Sequence, residues 1–223
     1  MRKLKEDEIE LRVGTCTNKG FSLLLYKTAR VDRQILDEEY GIMNWQCDYK
    51  VINDNLYCGI GVYDKEKDDW IWKWDCGTES YTEKEKGEAS DSFKRAGFKW
   101  GIGTALYTSP FIWHTGDVET KNERYIPKIN ISQLNVKEIE YKDDKISKLV
   151  IERKGVEFFK WEIDDKGDDL ISTDEMTAFN LMIIKYEKDP EDVCKYFKIK
   201  DVNDMTKKQF AEFKKICEKG SGE

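Results

Sequence analysis

The sequence has one histidine, His114, and its six cysteines contain no Cys-x-x-Cys pair. Those gaps exclude the close-paired ligand sets of ordinary zinc sites. They also leave no Ser/His/Asp set, because one imidazole would have to serve every role. Cys16, Cys47, Cys58, Cys76, Cys194 and Cys217 are therefore expected to be reduced, mostly packed thiols. No apolar run approaches the roughly 20 residues that cross a bilayer; the longer ones resemble Phe21-Ser-Leu-Leu-Leu-Tyr26. The start, Met1-Arg-Lys-Leu-Lys-Glu6, has no apolar stretch of the signal-peptide kind, so a cytoplasmic address with no membrane partner is expected. Gly101-Ile-Gly103 follows a helical pattern and no Gly-Lys-Ser/Thr comes after it, so it is not read as a phosphate loop. No ATP site, metal or other cofactor is expected, and the two glycines are read as places of close helix packing.

Charge of one sign is also missing. The chain carries 38 basic and 45 acidic side chains, a net charge of −7. Residues 1–110 hold 17 basic and 20 acidic groups, residues 111–163 hold 10 of each, and residues 164–223 hold 11 and 15. No segment is basic throughout, which excludes wholesale coating of a polyanion. Any site for one must be a local cluster.

What is present suffices for a folded core: 223 residues, 39% of them hydrophobic and 13% aromatic. Ile9, Leu11 and Val13 alternate with charged residues as in a half-buried strand, and 21–26 is a second strand. Val31, Ile35, Leu36 and Tyr40 follow a helical spacing that ends at Gly41. Three alternating runs then predict an antiparallel meander. Trp45, Cys47, Tyr49 and Val51 lie in the first; Leu56, Cys58, Ile60 and Val62 in the second; Trp70, Trp72, Trp74 and Cys76 in the third. The turns are Asn53-Asp-Asn55 and 64–69. A long helix is predicted from about Glu83 to Leu106, with Ala89, Phe93, Ala96, Trp100 and Gly103 as its apolar stripe.

Residues 134–162 read as a smaller β-ribbon. Ser172-Thr-Asp-Glu175 and Thr206-Lys-Lys-Gln209 are capping boxes, with Ile171/Met176 and Met205/Phe210 as their hydrophobic staples. Asp189-Pro190 starts a helix between them. The expected fold is α+β: an antiparallel β-meander packed on a long helix, plus a β-ribbon and a small C-terminal helical module. The boundaries are 1–163 for the main domain, with a core at 8–110, and 170–219 for a three-helix module joined through the Asp- and Lys-rich stretch 164–169.

The long helix holds the most informative residues. At about 100° per residue, Arg95 and Lys99 sit about 40° apart on one flank of the apolar stripe, with Lys94 further round. Cations beside a buried face can grip successive phosphates of one strand, although a solvated helix flank has the same pattern. The tryptophans at 70, 72 and 74 could stack on unpaired bases. Three on one strand face more often form a core, and they are read here as the layer beneath Phe93 and Trp100.

The order strand, helix, meander, long helix is joined by specific segments: Tyr26-Lys-Thr-Ala-Arg30, Arg33-Gln-Ile-Leu36, Gly41-Ile-Met-Asn-Trp45-Gln46, Tyr57-Cys-Gly-Ile-Gly61-Val62 and Glu88-Ala-Ser-Asp-Ser-Phe-Lys-Arg-Ala-Gly-Phe-Lys-Trp-Gly101. Over residues 8–110 these resemble the annealing domain of the Rad fifty-two family, including its bacterial and phage recombination members. The resemblance implies an oligomer, ring or filament, with a positive groove where the meander meets the long helix. Single-stranded DNA would lie there with its bases exposed, and complementary strands would pair without ATP or a catalytic residue. The family's Lys-Arg pair falls on Lys94 and Arg95. Its further arginine is replaced by Phe98, with Lys99 beside it. Lys27, Arg30 and Arg33 are weaker candidates. The C-terminal module would dock an exonuclease or the host single-strand-binding protein, or only support the oligomer. Two other readings are a metal-dependent nuclease using some of the many carboxylates, and a protein-interaction module that does not bind DNA.

Overall fold

In the computed structural model, residues 1–77, 84–163 and 170–219 are described. The chain is α+β, with antiparallel sheets and, among the described residues, five α-helices. In chain order the elements are β1 (Glu10–Cys16), β2 (Gly20–Tyr26), α1 (Ala29–Tyr40), β3 (Trp45–Ile52), β4 (Asn55–Asp64), β5 (Asp69–Cys76) and α2 (Lys84–Lys99). They continue with β6 (Ile112–Thr115), β7 (Val118–Lys121), β8 (Arg124–Pro127), β9 (Leu134–Lys142), β10 (Lys145–Arg153) and β11 (Val156–Glu162). The last three are α3 (Thr173–Lys185), α4 (Pro190–Phe197) and α5 (Lys207–Lys219). Contacts divide the chain into one unit of Met1–Glu10 with Tyr26–Tyr107 and another of Leu11–Leu25 with Thr108–Glu223.

In the first unit, β3, β4 and β5 form the expected meander. Asn53 and Asp54 both adopt positive φ, which suits a two-residue hairpin loop whose twist matches its strands. At the second turn, the Asp64 carboxylate accepts from the backbone N–H groups of Glu66 and Lys67. The helix α2 lies on the face that carries Cys58, Ile60 and Val62, all buried, with Ile60 0% exposed. Phe93 packs against Trp45 with ring centroids 6.2 Å apart, and the Trp100 indole donates to the Ile60 carbonyl at 3.0 Å.

The tryptophan stripe is not in that layer. Register pairs Ile60 with Lys73 and Cys58 with Asp75, so Lys73 and Asp75 face the helix. Trp70, Trp72 and Trp74 must then point to the opposite face, together with Tyr63, Gly61 and Gly59, their partners across the strand. The reading of these tryptophans as the layer beneath α2 is thereby corrected. The helix packs on the medium-sized side chains of β4, because the bulky stripe of β5 has the other parity.

The helix α2 also ends earlier than the pattern suggested, at Lys99 and not Leu106; the expected start at Glu83 lies outside the described residues. Gly101, at φ 87°, takes the left-handed position after the cap. Its N–H bonds the Phe98 carbonyl at 2.9 Å and that of Ile102 bonds the Gly97 carbonyl at 3.1 Å, the two bonds of a Schellman ending. A short 3-10 turn, Thr104–Thr108, follows.

In the second unit β6 pairs with β2, in a sheet ordered β1-β2-β6, and β9-β10-β11 is the ribbon expected at 134–162. The hairpin β7–β8 was not foreseen. Both capping boxes form: Ser172 Oγ accepts from the Glu175 N–H, and Thr206 Oγ1 from that of Gln209. Asp189 caps α4 as expected, with Pro190 at its first turn. Phe179, Met205, Phe210 and Phe213 close the core of the module, and all are buried. The stretch expected to join this module lies at 164–169, outside the described residues.

A Cβ added at Gly59 would fall 2.5 Å from the Trp74 ring. Gly59→Ala is therefore expected to cost about 1–3 kcal/mol through forced displacement of the indole. Urea unfolding would check it, and an unchanged midpoint would show that this indole does not rest on the glycine.

Candidate nucleic-acid interface

The cations of α2 spread across its outer side because Phe93, Ala96 and Trp100 commit the inner one. Lys94 is half-buried and pairs with Asp91 one turn earlier at 3.6 Å. Arg95 and Lys99, whose side chains are 43% and 49% exposed, converge on Asp75 of β5 at 3.5 and 3.8 Å. Lys73, two residues before Asp75, donates to the Lys99 carbonyl at 2.8 Å and covers the Trp100 ring at 4.3 Å. It thus sits at the C-terminal end of the helix, where the macrodipole favours a cation. Three cations gather around Asp75 and the end of α2, and Lys94 with Asp91 lies further round the helix. Sequence reading missed Lys73, although its alternation with the tryptophans of β5 placed it beside the helix once the parity of that strand was right.

These ion pairs are long and exposed, and such pairs contribute about 0–1 kcal/mol. An anion with better geometry can displace Asp75 and Asp91 at little cost. Lys94, Arg95 and Lys99 are therefore paired, but loosely.

Lys27 does not belong to this group. The residue is 2% exposed, and its ammonium forms an ion pair with Asp32, which is 0% exposed. The ammonium also approaches the Lys94 carbonyl at 3.4 Å and lies 4.3 Å from the Phe98 ring centroid. Room for its stem exists only because residue 103 is glycine, where a Cβ would meet Lys27 Cε at 2.7 Å. Burial pushes the Asp32 carboxyl up to about 6 against the pull of Lys27, and pushes the Lys27 ammonium down. The second Asp32 carboxylate oxygen has no hydrogen-bond partner among the described residues. Lys27 therefore fixes α2 against α1 and is not placed to touch a phosphate.

Arg30 and Arg33 are exposed on one side of α1, beside Gln34, Asp37 and Glu38. Burial pushes the Cys47 thiol pKa up, and the positive charge of Arg33 opposes that rise. The structure brings Arg95, Lys99 and Lys73 together on α2 and β5, with Lys94 on α2 but further round it. Arg30 and Arg33 form a separate group on α1. Among the described residues no three His, Cys, Asp or Glu side chains gather as a metal-holding group.

Comparison with protein-family models, with curated proteins and with solved structures returns no match.

Removing one member of the buried pair leaves the other charge uncompensated. Lys27→Met is expected to cost about 3–5 kcal/mol, and the double variant Lys27→Met/Asp32→Leu less than that. A double-mutant cycle in urea measures both. A double variant as unstable as the two single losses added together would show that the pair does not act as a unit.

Proposed function

We propose that this protein binds single-stranded DNA and anneals complementary strands without ATP, using the single-strand annealing fold of the Rad fifty-two family. The observation that carries the reading is the group of Lys73, Arg95 and Lys99, with Lys94 further round α2, where that helix is seated over a three-stranded meander. Such a group grips a phosphate backbone without reading base edges. Base pairing then supplies both specificity and free energy, so the protein needs only to reduce repulsion between strands and hold them open. Lys94, Arg95 and Lys99 are the proposed backbone contacts, Lys73 supports them, and Arg30 and Arg33 are a second group along α1.

Self-association belongs to the same proposal. The edge strand β3 is exposed along most of its length, with Val51 71% exposed and Tyr49 and Cys47 open on the same face. Ile42 and Met43, at 72% and 83%, project from the turn before it. An edge this bare and this apolar favours pairing with another copy.

The test uses two complementary fluorescent oligonucleotides, without ATP, over a salt series. Wild-type protein is expected to accelerate annealing, with the effect fading as salt rises. Lys94→Ala/Arg95→Ala is expected to bind a single strand about tenfold or more weakly and to flatten the log–log salt slope by about 1.4, two contacts at about 0.7 each. Folded, oligomeric protein that never accelerates annealing would defeat the reading; magnesium-dependent cleavage stopped by a chelator would replace it with a nuclease.

Asp75→Asn should act in the opposite direction. Removing the carboxylate that competes for Arg95 and Lys99 is expected to tighten single-strand binding up to about fivefold, the ceiling set by an exposed pair. Weaker binding in a folded Asp75→Asn protein would mean that Asp75 positions the cations and does not compete with the phosphate.

A further inference from the structure

The face of the meander turned away from α2 carries five aromatic side chains: Tyr57, Tyr63, Trp70, Trp72 and Trp74. All five are half-buried, whereas Ile60 on the helix side is sealed. Two of them have an unusual floor. A Cβ at Gly59 would lie 2.5, 2.6 and 2.6 Å from Cε2, Cδ2 and Cζ2 of Trp74, and one at Gly61 would lie 2.8, 2.9 and 2.9 Å from the same atoms of Trp72. A Cβ points out of the sheet, so near-equal distances to three atoms of one ring mean that each indole lies flat across its glycine. One π-face of each is pressed on the backbone; the other face of Trp72 is turned outward, and that of Trp74 is covered by the Lys50 ammonium.

The two indoles are nearly parallel, 24° apart in orientation, and stack with an offset at a centroid separation of 5.6 Å. Lys50, two strands away, lays its ammonium over the Trp74 ring, 4.3 Å from the centroid, and its largely exposed side chain must swing aside for a base to stack there. Trp70 and Tyr63 lie beyond them, 5.5 Å apart and tilted by 60°. Side chains that anchor a protein partner project into a pocket on that partner. Two near-parallel rings on one face, with a displaceable cation over one of them, suit flat ligands joined by anionic links. Sheets that present aromatic side chains on an open face stack two or three bases of a single strand in this way.

We infer that Trp72 and Trp74 form a stacking platform for two successive unpaired bases, with Lys50 leaving the Trp74 ring to meet an adjoining phosphate. The platform is distinct from the cation group at α2, since the meander separates the two. It rests on the single-strand reading above and adds a contact of another kind. Because every base has a π-face, its stacking is indifferent to sequence, and with one cation against four it depends less on salt than the cations of α2 and β5 do.

The experiment compares an oligothymidylate with an abasic oligonucleotide of equal length, each binding the full-length protein. Wild type is expected to prefer the oligothymidylate by about tenfold or more, and that preference is expected to fall to about one in Trp72→Leu/Trp74→Leu. A folded double variant that keeps the preference overturns the platform while single-strand binding stands. So does a variant whose subunit number changes by light scattering while the preference stays, which would make this face an interface between copies. If the variant does not fold, indole fluorescence of the wild type decides: quenching by the oligothymidylate and not by the abasic strand is expected, and equal quenching or none overturns the inference. Wild type that binds neither strand brings down the single-strand reading itself, and the platform with it.

Discussion

A lysine and an aspartate sealed from water fix how the two helices of the first unit meet. Lys27 and Asp32 lie at the start of α1, and the Lys27 ammonium reaches a carbonyl of α2. Two buried charges tolerate little displacement, because neither can regain water if the pair opens. The backbone of Lys94 is therefore held where its carbonyl meets Lys27, and its side chain must leave on the outer side. With Phe93 and Trp100 turned to the meander, the same constraint directs Arg95 and Lys99 outward. The buried cation is thus spent on positioning, and the exposed ones are left for a ligand.

That division explains why Lys27 could be mistaken for a surface residue. In sequence it stands among Arg30, Arg33 and other polar groups, and a lysine is almost never fully buried unless paired. Its partner Asp32 is only five residues on, but the burial of the pair rests on Gly103 and Phe98, some seventy residues further on. Nothing local announces such a contact. The helix ends of the C-terminal module were legible for the opposite reason. Ser172 with Glu175, Thr206 with Gln209, and Asp189 with Pro190 complete their bonds within four residues, so the chemistry lies in the sequence itself.

The meander was legible in its strands and turns but not in its faces. Alternation identifies two sides of a strand and is silent about which one a helix covers. The heaviest apolar stripe, at 70, 72 and 74, was the natural choice and the wrong one. The better signal was on β4, where Gly59 and Gly61 alternate with Cys58, Ile60 and Val62. A helix needs side chains to pack against and finds them only on the second set. Pairing across β4 and β5 then carries the tryptophans to the glycine side, where flat rings fill the space that missing side chains leave. Lys73 and Asp75 follow by parity, which is how the site gains a cation and a carboxylate that inspection of α2 alone does not supply. The pairing of β6 with β2 and the hairpin β7–β8 had no comparable local signal.

An acidic chain with its cations already paired is an odd candidate for holding DNA only if tight holding is the aim. On the proposed reading it is not. A strand must be gripped long enough to meet its complement, and the duplex must then be released. Lysines and arginines without competitors would retain the product as firmly as the substrate. Asp75 and Asp91 lower the grip of each cation by the small amount that an exposed pair is worth, and the net charge of −7 limits attraction at long range. What separates substrate from product is then the availability of the bases. An unpaired base can stack on an indole and a paired one cannot, so a flat aromatic face strengthens binding to the strand and not to the duplex. Cations shared with carboxylates on one side of the meander and open rings on the other would together favour the single strand at the start and let the duplex go at the end.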